Sequence, residues 1–294
     1  MIKRTIEISS PDLYVSIRDA QVILRRDKEE IGRVPAEDIG ILIVDSPSTV
    51  YTHRTLVELV QQGAIVLLCG EDHLPAAFVT PCLANSVQTE RLAAQVNAKE
   101  PLRKRLWQQL VEEKIRNQAR ALMEDPDIQE RLRSFARRVR SGDPENLEGQ
   151  AAKLYWAAWL PGRPFSRRRE GEPPNNLLNY GYAVLRAAVA RAIAGAGLHP
   201  SIGVHHKNRY DAFCLADDLM EPLRPLVDSK VRELFLAEQE NIDRDTKTAL
   251  LSLLTEPVGV GETQGPLFVQ LERMAASLVR CYAGEQDKLD VPCL

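Results

Sequence analysis

Short β-branched segments separated by turn residues open the chain: Thr5 to Ser9, Leu13 to Ile17, Gln21 to Arg25 and Ile39 to Val44. That rhythm predicts strands, with Arg18-Asp19-Ala20 as a hairpin connection. Over Thr52 to Gln62 the apolar spacing shifts to Leu56, Val57, Leu59 and Val60, which predicts a helix ending near Gly63. A buried strand over Ala64 to Cys69 and a last one near Ala77 to Thr80 are expected to follow. After Pro81 the period changes, because helix formers dominate and apolar positions run through Leu92, Val96, Leu102, Leu106, Leu110 and Ile115. Breaks rich in Gly or Pro fall at Asp125-Pro126, Ser141 to Pro144, Pro161 to Pro174, Gly195 to Gly203 and Pro257 to Gly265. The predicted fold class is therefore α+β: a small β-rich N-terminal domain over 1–85, a linker over 86–95 and a larger all-α domain over 96–294.

Composition adds little to that picture and charge adds more. With 294 residues, 44% hydrophobic and 27% charged, the chain is long enough for a real core and excludes disorder, collagen and disulfide scaffolds. Its five cysteines contain no Cys-x-x-Cys pair, which fits a reducing cytoplasm rather than a zinc ribbon. No apolar run approaches the roughly 20 residues of a membrane span, and MIKRTIEISS lacks a signal-peptide core. The formal charge of -3 hides an asymmetry: residues 91–170 carry 18 basic and 11 acidic side chains, while both flanks are net acidic. Such a basic interior segment fits a polyanion-binding surface, and a solvated helix face is the alternative. Within it, Arg131, Arg133, Arg137, Arg138 and Arg140 fall on one predicted helix, while Arg163, Arg167, Arg168 and Arg169 fall in a loop able to wrap a phosphate backbone. Trp156 and Trp159, at helical spacing, read as core rather than base-stacking platforms.

Neither glycine pattern, at 195–200 or at 259–265, has dinucleotide-binding spacing, and no Walker, Gly-x-Ser-x-Gly or His-Glu-x-x-His motif occurs. The informative stretch is GVHHKNRYDAFCLADDLMEPLRPLVD, residues 203 to 228, with two histidines and several acids. If Ala216 to Met220 is helical, Asp217 and Glu221 share a face, as do Asp218 and Glu221, although Pro222 disfavours αR at Glu221. A divalent cation would relieve the repulsion; oxygen ligands suit Mg2+ or Mn2+, and an imidazole favours tolerance of Mn2+. The alternatives stay open here: helix-dipole carboxylates and loop histidines. Glu148, in the first turn of a helix after Pro144, is a candidate third acid or merely a dipole partner.

NNLLNYGYAVLRAAVARAIAGAGLHPSIGVHH and CLADDLMEPLRPLVD, with NLEGQAAKLYW and the N-terminal passage from Pro35 to Pro81, closely resemble the CRISPR-associated spacer-acquisition integrase family, most of all its type II version. The resemblance covers most of the chain. It implies a β-rich dimerisation domain and a helical catalytic domain with Glu148, His206 and Glu221 as catalytic metal ligands. It leaves Asp218 as a further ligand or a carboxylate behind them, and His205 as a neighbour. It further implies a prokaryotic cytoplasmic enzyme that uses Mg2+ or Mn2+ to join 3′-hydroxyl ends of protospacer DNA to CRISPR-repeat phosphodiesters. Expected partners are double-stranded DNA, a second copy, a small ferredoxin-like companion subunit, and a type II effector nuclease with an accessory ring protein. The competing readings are a metal-dependent nuclease without integration and a non-catalytic DNA-binding scaffold.

Overall fold

The computed structural model describes residues 3–71, 75–81, 85–122, 124–163, 165–168, 171–259 and 264–294. It divides into two compact units, Met1–Ser86 and Val87–Leu294. In the first, β1 (Arg4–Ile8), β5 (Ile39–Val44), β7 (Ile65–Cys69) and β8 (Pro75–Val79) form a sheet in the order β1-β5-β7-β8. Strand β5, IGILIV, is buried at every position and pairs in parallel with a strand on each side, which is why it reads as an unbroken apolar run. A second sheet has the order β4-β3-β2-β6, built from β2 (Tyr14–Arg18), β3 (Gln21–Arg26), β4 (Glu29–Pro35) and β6 (Val50–Tyr51). Asp19 and Ala20, both at positive φ, close the β2–β3 hairpin with Arg18 opposite Gln21. Helix α1 (His53–Gln61) starts at a Thr52 cap that accepts from the Thr55 N–H and stops before Gly63, at φ 76°. Leu59 of α1 packs into a core with Val15, Val22, Ile39 and Val66.

The second unit is helical: α2 (Gln88–Val96), α3 (Glu100–Ala121), α4 (Pro126–Arg138), α5 (Leu147–Ala158), α6 (Asn175–Gly195), α7 (Cys214–Met220), α8 (Arg224–Leu236), α9 (Arg244–Ser252) and α10 (Leu267–Ala283). The only strands described there are a two-residue antiparallel pair, Pro257–Val258 with Gly265–Pro266; residues 260–263 of the second glycine pattern lie outside the described residues. Residues 86–95, expected to be a linker, instead carry most of α2. Its buried Gln95 donates to the carbonyls of His199 and Ile202 and accepts from the His199 N–H, so the segment is fastened into the helical unit. Helix α6 is buried on nearly every face, as a central helix must be. Gly181 lets α8 approach it: a Cβ there would sit 2.5 Å from Val227 Cγ1. No helix among the described residues is long and apolar enough to cross a membrane.

Candidate metal centre

Glu148 is delivered by the start of α5. Asn146, in the left-handed region at φ 51°, accepts from the Gly149 N–H, and the two Asp143 oxygens accept from the Leu147 and Glu148 N–H groups at 2.9 Å each. With the helix end already capped, the Glu148 side chain is free to look outward. It meets Lys114, from the middle of α3, whose Nζ lies 2.6 Å from Glu148 Oε1 and 2.5 Å from Glu221 Oε2. Glu221 opens a single 3-10 turn, Glu221–Leu223, between α7 and α8. That turn is held to α3 by Asn117, whose side-chain amide donates to the Pro222 carbonyl at 2.7 Å. Despite Pro222, Glu221 keeps αR backbone angles.

His206 sits on the loop before α7 and is oriented by Asp218, which is completely buried. Asp218 Oδ2 accepts from the His205 N–H at 2.8 Å, and Oδ1 accepts from the His206 N–H at 3.3 Å and faces His206 Nδ1 at 2.5 Å. With Nδ1 engaged there, the neutral ring carries its proton on that nitrogen and leaves the Nε2 lone pair for a ligand. Gly203 makes the arrangement possible, because a Cβ would lie 2.5 Å from the His206 carbonyl oxygen and 2.8 Å from Asp218 Oδ2. The neighbouring His205 is occupied differently, its ring stacked on Trp107 with centroids 4.2 Å apart.

Electrostatics follow from these contacts. Burial alone would raise the Glu221 carboxyl, but Arg224, whose Nε donates to Oε1 at 2.9 Å, and Lys114 bring it down to about 2. The Asp218 hydrogen bond raises His206 above the usual histidine range, aided by the charges of Asp218, Glu221 and Glu148. Next to Glu221, a cavity of about 180 Å³ is lined by Lys114, Gln118, Trp156, Arg167, Arg224 and Asp228, among others. There burial pushes the Asp228 carboxyl up to about 7, and the Tyr182 hydroxyl donates to it. The Arg224 and Arg167 guanidiniums lie 4.6 and 5.2 Å from the Tyr182 ring centroid.

Several sequence expectations change here. Ala216–Met220 is helical and Glu221 continues it in αR, but Asp217 does not join Glu221 on one cation and pairs instead with Arg186 at 2.7 Å. Burial raises Asp217 to about 6. Asp218 is spent on the histidine segment. Among the described residues, no three His, Cys, Asp or Glu side chains already converge as a metal cage. The donor types nevertheless fit a divalent ion: two carboxylates that already share one cation, and an imidazole electrostatically coupled to both. Of the arginines, Arg131, Arg163 and Arg168 are exposed, Arg137 pairs with Glu130, Arg138 pairs with Glu145, and Arg169 lies outside the described residues. Arg167 is held by the side chains of Asn175 and Asn179. Arg116 and Arg120 of α3, not singled out from sequence, line a cavity with Arg133 and Arg137.

The family model described as CRISPR associated protein Cas1 matches residues 6–255. A CRISPR-associated endonuclease Cas1 of Neisseria meningitidis is 37% identical over 280 residues, covering 93% of this chain and 90% of the relative. One from Pyrobaculum aerophilum is 28% identical, covering 77% and 82%. Among solved structures, a casposase bound to integration product shares the fold with TM-score 0.79 at 18% identity, covering 98% of this chain and 93% of that one. A CAS1 protein from Thermotoga maritima does so with TM-score 0.75 at 18% identity, covering 96% and 98%. With a β-rich first unit, a helical second unit and a family match across both, the chain belongs to the Cas1 family of CRISPR-associated proteins.

Proposed function

We propose that this protein is a divalent-metal-dependent DNA integrase and endonuclease that inserts protospacer DNA into a CRISPR array. The observation that carries the reading is the meeting of Glu148 and Glu221 on one ammonium, with the His206 ring held by buried Asp218. Relatives named CRISPR-associated endonuclease support the nuclease class, and the fold shared with a casposase bound to integration product supports strand joining. A Cas6-RT-Cas1–Cas2 complex, matched with TM-score 0.79 at 17% identity over 99% of this chain and 36% of that one, supports a companion subunit.

In this reading Glu148, Glu221 and Nε2 of His206 would hold Mg2+ or Mn2+, with Asp218 behind them. A divalent ion held there would supply Lewis acidity at the scissile phosphate. Asp218 keeps the imidazole proton on Nδ1, so that Nε2 stays available. Glu221, ionised down to about pH 2, remains a ligand across the physiological range. Arg224 fixes the second Glu221 oxygen and lines the neighbouring cavity with Arg167. The reaction is an exchange: a 3′-hydroxyl oxygen forms a bond to phosphorus as the repeat's own 3′ oxygen leaves, and the proton moves from the attacking to the departing hydroxyl. Attack by water in place of the hydroxyl gives the nuclease activity.

The β-rich unit serves as the homodimer surface, supported by exposed Tyr14, Val50 and Tyr51 on paired strands β2 and β6. The remaining partners are double-stranded DNA, a small ferredoxin-like companion, and a type II effector nuclease with an accessory ring protein. The test is incubation of a labelled 3′-hydroxyl oligonucleotide with a repeat-containing plasmid, companion subunit and Mg2+ or Mn2+. Label joined to the plasmid is expected. Cut plasmid alone indicates a nuclease without integration, and binding with no reaction indicates a scaffold.

The arginines are assigned to the DNA backbone. Joint alanine substitution of exposed Arg131, Arg163 and Arg168 is expected to reduce the salt slope of DNA binding by about 0.9 for each phosphate no longer neutralised. An unchanged affinity and slope would assign them to a solvated face.

A further inference from the structure

We propose that Lys114 is the site's built-in counter-ion: a divalent ion evicts its ammonium from between Glu148 and Glu221, and the adjoining cavity receives it as a ligand for one DNA phosphate beside Arg167 and Arg224. The inference rests on the metal reading above and adds to it a residue and a phosphate site.

Lysine is among the side chains least often buried without a partner, and Lys114 is 9% exposed in the middle of α3. Its partners are two glutamates from other helical segments, at 2.6 and 2.5 Å. Each oxygen of Glu221 thereby has a cationic donor, Oε2 from Lys114 and Oε1 from Arg224 Nε. A cation that bridges Glu148 and Glu221 needs the place between their carboxylates that the ammonium now holds. Arg224 is three residues from Glu221, on the helix that follows its turn, and its guanidinium is braced over the Tyr182 ring. Lys114 reaches in from a different helix on a flexible four-carbon stem, so Lys114 is the donor that leaves. Charge balance agrees. Two carboxylates match one divalent ion, and an ammonium retained beside that ion would be repelled by it.

A landing place exists. Gln118 lies one helical turn beyond Lys114 on the same face, 3% exposed, and its Oε1 is buried with no hydrogen-bond partner among the described residues. Both side chains line the cavity of about 180 Å³ that also carries Arg167 and Arg224, with the acids Glu221, held by Arg224, and Asp228, which burial pushes up to about 7 and Tyr182 donates to. This volume is below the roughly 300 Å³ at which small-molecule sites begin, and suits a single phosphate group rather than a free nucleotide. An ammonium released from the two glutamates and turned toward Gln118 becomes available as the third cation of that cavity. Metal loading thus frees for a backbone contact a charge that Glu148 and Glu221 neutralise in the metal-free protein.

The experiment uses the full-length protein with Ca2+ as probe ion and a DNA duplex with 3′ overhangs. Calorimetry on Lys114→Met is expected to show Ca2+ binding about tenfold tighter than wild type, because a competing closed state has been removed. The salt slope of DNA binding should be lower in the variant by about one with Ca2+ and equal to wild type in EDTA. If the variant does not fold in EDTA, wild-type protein still decides the matter. Amine acetylation read by mass spectrometry should leave Lys114 protected in EDTA and modified with Ca2+. Unchanged Ca2+ affinity, or Lys114 equally protected with and without Ca2+, overturns the eviction. Equal slopes with Ca2+, or an equal difference in EDTA, overturn the phosphate role. Wild-type protein that binds no divalent ion overturns the metal reading as well, which separates the two failures.

Discussion

Alanine at Glu148 is expected to lower strand joining by roughly 10³-fold or more, since loss of one ligand removes several kcal/mol of charge stabilisation at the phosphate. The fold should survive. The start of α5 is capped by Asn146 and Asp143 and does not depend on the Glu148 side chain, and Lys114 keeps Glu221 as a partner. DNA affinity should stay within about twofold, because phosphate contacts and not this carboxylate supply it. Joining assays and filter binding on the same preparation separate the two. Wild-type joining by Glu148→Ala would remove Glu148 from the site.

Alanine at Asp218 is expected to damage stability and metal affinity together. Its two oxygens serve the His205 and His206 N–H groups and the His206 ring from a fully buried position. Truncation strands those donors, at a cost of about 3 to 5 kcal/mol in urea denaturation. It also frees the ring to rotate, which should weaken divalent-ion binding by about 10 to 100-fold. Asp218→Asn keeps the shape but offers one acceptor oxygen, so an intermediate loss is expected. A stability change under about 1 kcal/mol would mean that Asp218 does not organise the histidine segment.

What the sequence makes legible follows from local pattern. β5 is apolar at every position because it is covered on both faces, and the helical second unit announces itself through its period. β4 escapes such a reading, since EEIGRVP is mostly exposed on a sheet edge and no alternation marks it. α2 reads as a linker because its fastening residue is Gln95, a polar side chain that bonds to carbonyls about a hundred positions away. The same limit applies at the site. Glu148, His206 and Glu221 come from the family resemblance, whereas Lys114 meets its partners 34 and 107 residues on. One signal for it is present: Leu106, Leu110 and Lys114 follow one another at four-residue spacing, so a lysine interrupts an apolar stripe. Asp217 and Asp218 are adjacent and look equivalent in sequence. The start of α7 turns one to Arg186 and buries the other under the histidines.

The donor set itself is open to direct observation. Pulsed electron paramagnetic resonance of Mn2+ bound to the wild-type protein should show coupling to one imidazole nitrogen, absent in His206→Ala, with binding weakened in both Glu148→Ala and Glu221→Ala. Mn2+ bound without nitrogen coupling, or with coupling that persists in His206→Ala, would contradict a metal centre built from Glu148, His206 and Glu221.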